Sequence, residues 1–247
     1  MTEIDTIKIT ACRGFEAGRC RFGMPLGEKH GLNGRSIVEA VRAELAATQW
    51  DAFIRDKVKG ALRHHHSFNV ALSACPNGCS RPHVADIGLI RAVLPSIPSE
   101  ACNACGLCIN QCPDKALHAA TIEESQTLNI KKGAPLLDLS QCMACGLCVR
   151  RCPERALGRM DCSAACDHAP QADGWRIVLG GCLGRHPRLA TPLAGIHDSA
   201  SACAVAKAGL QWYMQKYSAG LRFARLVEAD AQHGAFLLTV NRHIGTE

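Results

Sequence analysis

The chain predicts an α+β fold interrupted in its middle by a cysteine-rich domain, and three observations carry that prediction. Apolar residues alternate with polar ones over Ile4–Thr10 and again at Phe68, Val70 and Leu72, with a helical stripe of Ile37, Val41 and Leu45 between them, so the first third reads strand, helix, strand. Residues 102–112 and 142–152 each spell C-x2-C-x2-C-x3-C-P. Two prolines, Pro95 and Pro98, deny the chain a regular hydrogen-bond ladder just ahead of the first copy. These signals divide the chain into an outer domain over 1–98 and 172–247, an insert over 99–160, and a connector over 161–171.

Taken in order, the strand at Ile4–Thr10 delivers Cys12. Ser36-Ile-Val-Glu39 has the spacing of a capping box, in which each side chain bonds the other residue's orphan backbone N–H, and so starts a helix. Trp50, Phe53, Ile54 and Lys57 continue helical character to about Leu62, with a break at Thr48–Asp51. The second strand delivers Cys75. Cysteines at the ends of two strands put a site on loops at one edge of a sheet, where the sheet holds the loops still. After the connector the chain returns to a strand at Trp175, and Ser199–Ser218 reads as a long helix. No stretch approaches the ~18 consecutive apolar residues of a membrane span.

The repeat is the strongest chemical signal. Ala101–Leu117 matches Gln141–Leu157 in four cysteines, a glycine, a proline and a short helix predicted after the proline. Three thiolates two residues apart can wrap one cube of iron and sulfide, while a fourth, three residues on, turns away to serve the neighbouring cluster. The repeat therefore encodes two [4Fe-4S] clusters, one on Cys102, Cys105, Cys108 and Cys152, the other on Cys142, Cys145, Cys148 and Cys112. This segment resembles a bacterial two-cluster ferredoxin. Structural zinc is the weaker reading, because a zinc site closes with four ligands in two pairs and has no use for a third cysteine at this spacing. Disulfides need an oxidising compartment; Met1–Thr10 has neither the basic start nor the apolar run of a signal peptide, so a reducing cytoplasm is expected.

Outside the repeat, Cys75 and Cys79 are spaced C-x3-C and followed by Asp86-Ile-Gly-Leu89, with Cys12 and Cys20 upstream. This run resembles the sirohaem and [4Fe-4S] signature of sulfite and nitrite reductases, with Ala74 where that family usually has glycine and a longer loop than usual between Cys12 and Cys20. Trp175–Leu189, a strand with a glycine turn, and Arg222–Asp230, a closing helix, are similar to the end of the same reductase domain. The resemblance implies a third [4Fe-4S] cluster on Cys12, Cys20, Cys75 and Cys79. It also implies that Cys79 bridges to the iron of a sirohaem, a thiolate having spare lone pairs. The residues alone leave two other outcomes open: a plain third cluster, or two cysteine pairs that never meet. Family members are built from two similar halves, and the half before the cysteine motifs supplies much of the haem cradle. Here either another subunit or a second copy completes the cradle, or the pocket has been lost.

Composition agrees with several clusters. The 247 residues hold 16 cysteines against 6 Phe, 3 Trp and 2 Tyr, so clusters stand in for part of an apolar core. The formal charge of +6 treats thiols as neutral. Each oxidised cube on four thiolates carries about −2, so three of them bring the total to roughly zero and remove the basic excess as a sign of nucleic-acid binding. Zinc-finger spacing and basic runs interleaved with aromatics are missing from the sequence as well.

The surplus of positive charge is uneven: residues 1–98 carry 13 Lys and Arg against 9 Asp and Glu. Arg13, Arg19 and Arg21 flank the first cysteine pair and Arg81 follows the second. Arg13 and Arg81 are candidates to grip the carboxylates of a sirohaem or a small oxyanion through the guanidinium fork. His64, His65 and His66 offer a basic rim, a metal-binding surface, or neither. Cys162, Cys166, Cys182 and Cys203 remain as free thiols, the first two open to service as spare ligands.

The expected function is an iron-sulfur oxidoreductase, or a subunit of one, of the sulfite/nitrite reductase type. Electrons enter through the ferredoxin clusters and pass to the centre on Cys12, Cys20, Cys75 and Cys79. A redox protein or second reductase subunit is the expected partner, and sulfite or nitrite the expected substrate. The alternative, from a different class, is a non-catalytic polyferredoxin-like electron carrier that docks to another redox enzyme.

Overall fold

The computed structural model describes residues 4–16, 19, 20, 23, 34–96, 98–157, 173–230 and 236, with the backbone alone at 34–36. Along the chain the elements are β1 (Ile7–Ala11), α1 (Gly34–Ala46), α2 (Trp50–Lys57), β2 (Phe68–Ser73), β3 (Ile87–Val93), α3 (Leu107–Asn110), β4 (Leu117–Ala119), α4 (Ile122–Thr127) and β5 (Pro135–Leu137). They continue with α5 (Leu147–Arg151), β6 (Asp173–Leu179), β7 (Thr191–Pro192), α6 (Ser199–Lys216) and α7 (Phe223–Asp230). The chain forms two compact units, one from Met1–Arg91 with Trp175–Glu247, the other from Ala92–Gly174. The α+β class is the one expected.

In the first unit the sheet runs β1-β2-β3-β6-β7. β1, β2 and β3 are mutually parallel, so each connection between them must cross back over the sheet. Helices α1 and α2 make the first crossing, and the α1 stripe of Ile37, Val41 and Leu45 is fully buried. Residues 74–86 make the second with no α-helix. This loop lies flat on the other face, against the Gly88 position of β3. A Cβ at Gly88 would lie 2.4 Å from the Pro82 carbonyl oxygen and 2.5 Å from Val178 Cγ2.

Several local expectations shift. β1 starts at Ile7, later than the alternation suggests. α2 stops at Lys57 instead of reaching Leu62, because Val58 is extended and Gly60 takes a φ of 104°. β2 is buried at five of its six positions, and β3 throughout, so neither shows a solvent-facing alternation; central parallel strands are covered on both sides. α6 is an Ala-rich helix buried on most of its surface, capped by the Asp198 carboxylate, which accepts from Ser201 N at 2.6 Å. Gly209 lets it approach β3: a Cβ there would meet Ile87 Cδ1 at 2.9 Å.

The second unit contains no Phe, Trp or Tyr at all. Its buried apolar cluster is small, made of Cys108, Leu117 and Leu157. β4 and β5 pair antiparallel. The two cysteine repeats share one backbone path, with positive φ at Ala104 and Ala144, Gly106 and Gly146, and Lys115 and Arg155. The short helix expected after each Cys-Pro is instead before it: α3 and α5 carry the third cysteine and end ahead of the fourth. Proline explains this, since the residue ahead of Pro113 or Pro153 is pushed out of the helical region and the helix must end there. Among the described residues no helix is long and apolar enough to cross a membrane.

Replacing Gly88 by valine should dislodge the 74–86 loop. The expected loss is about 1–3 kcal/mol of stability, the usual penalty of overpacking. Denaturant unfolding of the variant measures it; an unchanged midpoint would show that the loop does not need the close approach at Gly88.

Candidate functional site

Cys12 directly follows β1 and Cys75 stands two residues beyond β2, so parallel pairing brings both to the same end of the sheet. Cys12 N donates to Leu72 O at 3.0 Å, which extends the ladder by one rung. Ala74 N in turn donates to Cys12 Sγ at 3.1 Å. Cys75 is buried, and its thiol is pushed up first by desolvation and further by the charges of Cys12, Cys20 and Cys79. The other three thiols therefore lie within electrostatic reach of Cys75. The long loop after Cys12 is taken up by a 3-10 turn at Arg13–Phe15. The methyl of Ala74 is accommodated because residue 14 has none: a Cβ on Gly14 would sit 2.8 Å from Ala74 Cβ and 3.3 Å from Cys12 Sγ.

The crossover loop fixes the second cysteine of the pair. Ser80 Oγ donates to Leu72 O at 2.7 Å and meets Ser73 Oγ at 2.6 Å. Arg81 N donates to Gly78 O at 2.7 Å. Cys79 is left exposed and lines a groove of about 450 Å³ with Lys8, Thr10, Asn69, Arg81, Asp86, Cys182 and Arg222 among its walls. The floor is the polar face of the sheet, where Lys8 and Asn69 stand side by side in register. On the far wall Gly180 N donates to Asp86 O at 2.7 Å, Gly181 N to Ala85 O at 2.9 Å and Ala190 N to His83 O at 2.8 Å.

Asp86 is the one carboxyl group among the groove's described lining residues. Its Oδ2 accepts from Asn69 N at 2.8 Å and from Asn69 Nδ2 at 3.2 Å. Burial pushes it up to about 6, against the opposing effect of the Asn69 bonds and the Arg222 charge.

In the second unit the thiols group across the two repeats. Burial raises Cys108, with repulsion from Cys152 and Cys102 adding to it. Burial likewise raises Cys142, which is repelled by Cys145 and Cys112. Cys148 is pushed up to about 12, by burial first and then by Cys145, Cys142 and Cys108. Cys102, Cys105, Cys108 and Cys152 together line one cavity. Backbone amides aim at the sulfurs: Ala116 N donates to Cys112 Sγ and Ala144 N to Cys142 Sγ, both at 3.3 Å. Soft sulfur donors in fours, with amides pointed at them, suit an iron-sulfur cube. Among the described residues no three Cys, His, Asp or Glu side chains stand where a single metal ion would need them.

The remaining candidates are dispersed. Arg81 lines the groove, whereas Arg13 lies in the turn after Cys12 and is not among the groove's described lining residues. Arg19 is an exposed residue paired with Glu16 at 3.2 Å, and Arg21 lies outside the described residues. His64–His66 form a 3-10 turn in which His66 Nδ1 accepts from Arg63 N at 3.0 Å, and none of them lines the groove. Cys203 is buried in α6 and pushed up to about 11. Cys162, Cys166 and the 161–171 connector lie outside the described residues. Lys8 and Arg222 join the groove unannounced. Lys8 could have been found as a polar position of the β1 alternation, but no local pattern ties Arg222 to it.

Fold and thiols together mark an iron-sulfur oxidoreductase domain. Residues 34–230 match the family model for the nitrite and sulphite reductase 4Fe-4S domain, and the chain belongs to that family. It is 44% identical over 52 residues to the coenzyme F420-dependent sulfite reductase of Methanocaldococcus jannaschii, a match covering 21% of this chain and 8% of that one. Its fold resembles the crystal structure of dissimilatory sulfite reductase I (DsrI), with a TM-score of 0.54 at 15% identity over 98% of this chain and 53% of that one. The Mycobacterium tuberculosis NirA protein gives a TM-score of 0.44 at 15% identity over 90% of this chain and 25% of that one. The chain thus spans about half, or less, of the length of these relatives.

The Asp86 shift gives a pH signature. Its folded value of about 6 lies above the ordinary 3.8, so the protonated form favours the fold; that contribution is complete below 3.8 and lost as pH rises through about 6. Between pH 5 and 7 the loss should come to about 1 kcal/mol. Denaturant unfolding at several pH values should show this decline in the parent chain and not in Asp86→Asn. An identical decline in both would assign it to another group.

Proposed function

We propose that this chain is the cluster-bearing half of a sulfite- or nitrite-reducing enzyme, holding three [4Fe-4S] clusters and a sirohaem. One observation carries the reading: Cys79 belongs to the thiol group around Cys75 and also to the wall of a groove lined by Lys8, Arg81 and Arg222. Cys79 would thus be placed to serve both a cube and a group held in the groove. On this reading Cys12, Cys20, Cys75 and Cys79 hold one cube, with Cys79 facing the sirohaem. Residues 99–160 form a two-cluster ferredoxin-type domain, with one cube on Cys102, Cys105, Cys108 and Cys152 and the other on Cys142, Cys145, Cys148 and Cys112. Residues 1–98 and 172–247 form the reductase domain.

Once bound, the clusters supply one-electron transfer and the sirohaem supplies a Lewis-acidic iron for reducing an oxyanion. The chain's own residues do the rest. Lys8, Arg81 and Arg222 present positive charge to the carboxylates of the macrocycle and to the oxyanion, in a groove whose polar floor is preorganised by the sheet. Asn69, oriented by Asp86, adds an amide to that floor. A second reductase subunit or a redox protein supplies the rest of the cradle.

Three filled cubes predict about 12 irons per chain with matching sulfide, and about one more with sirohaem. Anaerobically purified protein should show this together with isobacteriochlorin absorption, alone or with its partner. About eight irons would remove the third cluster. A featureless iron-sulfur spectrum in both preparations would favour a pure electron carrier.

Crossed ligation has its own test. Cys112→Ala should damage the cluster of Cys142, Cys145 and Cys148 and spare that of Cys102, Cys105 and Cys108, as resolved by electron paramagnetic resonance of the reduced protein. Damage confined to the first repeat's cluster would refute the crossing.

A further inference from the structure

The groove contains a charge opposed to its purpose. Three of its lining residues, Lys8, Arg81 and Arg222, are cations, yet Asp86 stands among them on the same face of the sheet. Its hydrogen bonds come from the backbone and side-chain amides of Asn69, which are neutral. Those two bonds tie the entry of β3 to the start of β2, and the Asp86 carbonyl also accepts from Gly180 N at 2.7 Å on the far wall. The carboxyl group is therefore held in the groove by Asn69 and its backbone by Gly180.

We infer that Asp86 is a positioning residue that sets the pH range over which the groove holds an oxyanion: protonated, it leaves Lys8, Arg81 and Arg222 to the anion, and ionised, it competes with the anion for them. The inference rests on the groove taking an anion, as proposed above, and adds a regulation of that site. Burial supports it by moving Asp86 into the range where a neutral-pH enzyme can use the change.

The titratable and charged groups that share the groove with Asp86 come from several elements. β1 contributes Lys8, the crossover loop Arg81 and Cys79, the turn after β6 Cys182, and the position just ahead of α7 Arg222, whose charge acts on Asp86. From α6 comes Tyr213, which burial raises and whose hydroxyl donates to Leu221 O at 2.9 Å. Histidine is the other side-chain type that commonly changes charge over this range, and His83 lies in the same loop, so it serves as the control.

Sulfate is the probe, because it stays a dianion from pH 5.5 to 7.5 and leaves the protein as the titrating partner. Calorimetric titration of the full chain at constant ionic strength should show sulfate affinity falling roughly tenfold across that range, the scale of one unit charge acting over a short, partly screened distance. Asp86→Asn should hold the low-pH affinity throughout, and His83→Gln should follow the parent. Lys8→Ala and Arg81→Ala should weaken binding at every pH. If those two bind like the parent, the groove is not the anion site and the reading beneath the inference fails. If they weaken binding while Asp86→Asn keeps the parent slope, or His83→Gln abolishes it, the role of Asp86 is overturned and the groove stands.

A measurement on the parent chain covers failure of Asp86→Asn to fold. Linkage is reciprocal, so saturating sulfate should raise the pH at which the protonated-carboxyl infrared band fades. No movement of that band would overturn the inference.

Discussion

Parallel pairing of β1 with β2, and of β2 with β3, is the constraint from which the site follows. Parallel neighbours end at the same edge, so Cys12 and Cys75 arrive together without any long-range search. They also oblige the chain to cross back twice. Helices make one crossing and bury the apolar face; a bare loop makes the other and has to lie close to the sheet to do so. Gly88 and Gly181 are the consequence. A Cβ at Gly181 would come within 2.5 Å of the His83 carbonyl, just as one at Gly88 would strike Pro82. The glycine two residues after Asp86 is thus a clearance between loop and strand, and no positive φ is involved.

The second unit is organised by a different force. Without a single aromatic side chain, and with a three-residue buried cluster, it has little apolar surface to set against the entropy of ordering its loops. It also holds non-glycine residues in the left-handed region at Ala104, Lys115, Ala144 and Arg155. Each such residue opposes folding, and their recurrence at matching places in both repeats shows that the path itself is required. On the proposed ligation, metal-thiolate bonds supply what packing does not. Cluster assembly then releases protons from Cys108, Cys142 and Cys148, whose thiols burial holds in the protonated form until a cation arrives.

Much of this was legible because the informative patterns are local. The stripe of Ile37, Val41 and Leu45 and the helix from Ser199 depend on residues a few positions apart, and both stand in the structure; the break expected at Thr48–Asp51 falls at 47–49. β3 was not legible. Its run is apolar almost without interruption, so periodicity could not distinguish a doubly covered strand from a buried helix. The short helices lie on the other side of Cys-Pro from where the repeat predicts them, because proline ends an element here. Of the groove, Arg81 could be named from its place after Cys79, but Arg222 could not: it arrives from the far end of the chain, and only the fold makes it a neighbour of Asp86.

The charges of the site divide at Cys79. Behind it stand Cys12, Cys20 and Cys75, which repel one another when ionised and are quieted by a cation. In front of it stand Lys8, Arg81 and Arg222, three cations against one carboxyl, which are quieted by an anion. Neither half is at its lowest electrostatic energy alone, and each calls for a partner of opposite sign. A side chain placed at the boundary of two such regions touches both ligands at once. On the proposed reading, that position, rather than any single residue's reactivity, would let this part of the fold pass negative charge from thiolate-bound metal to an anion held in the groove.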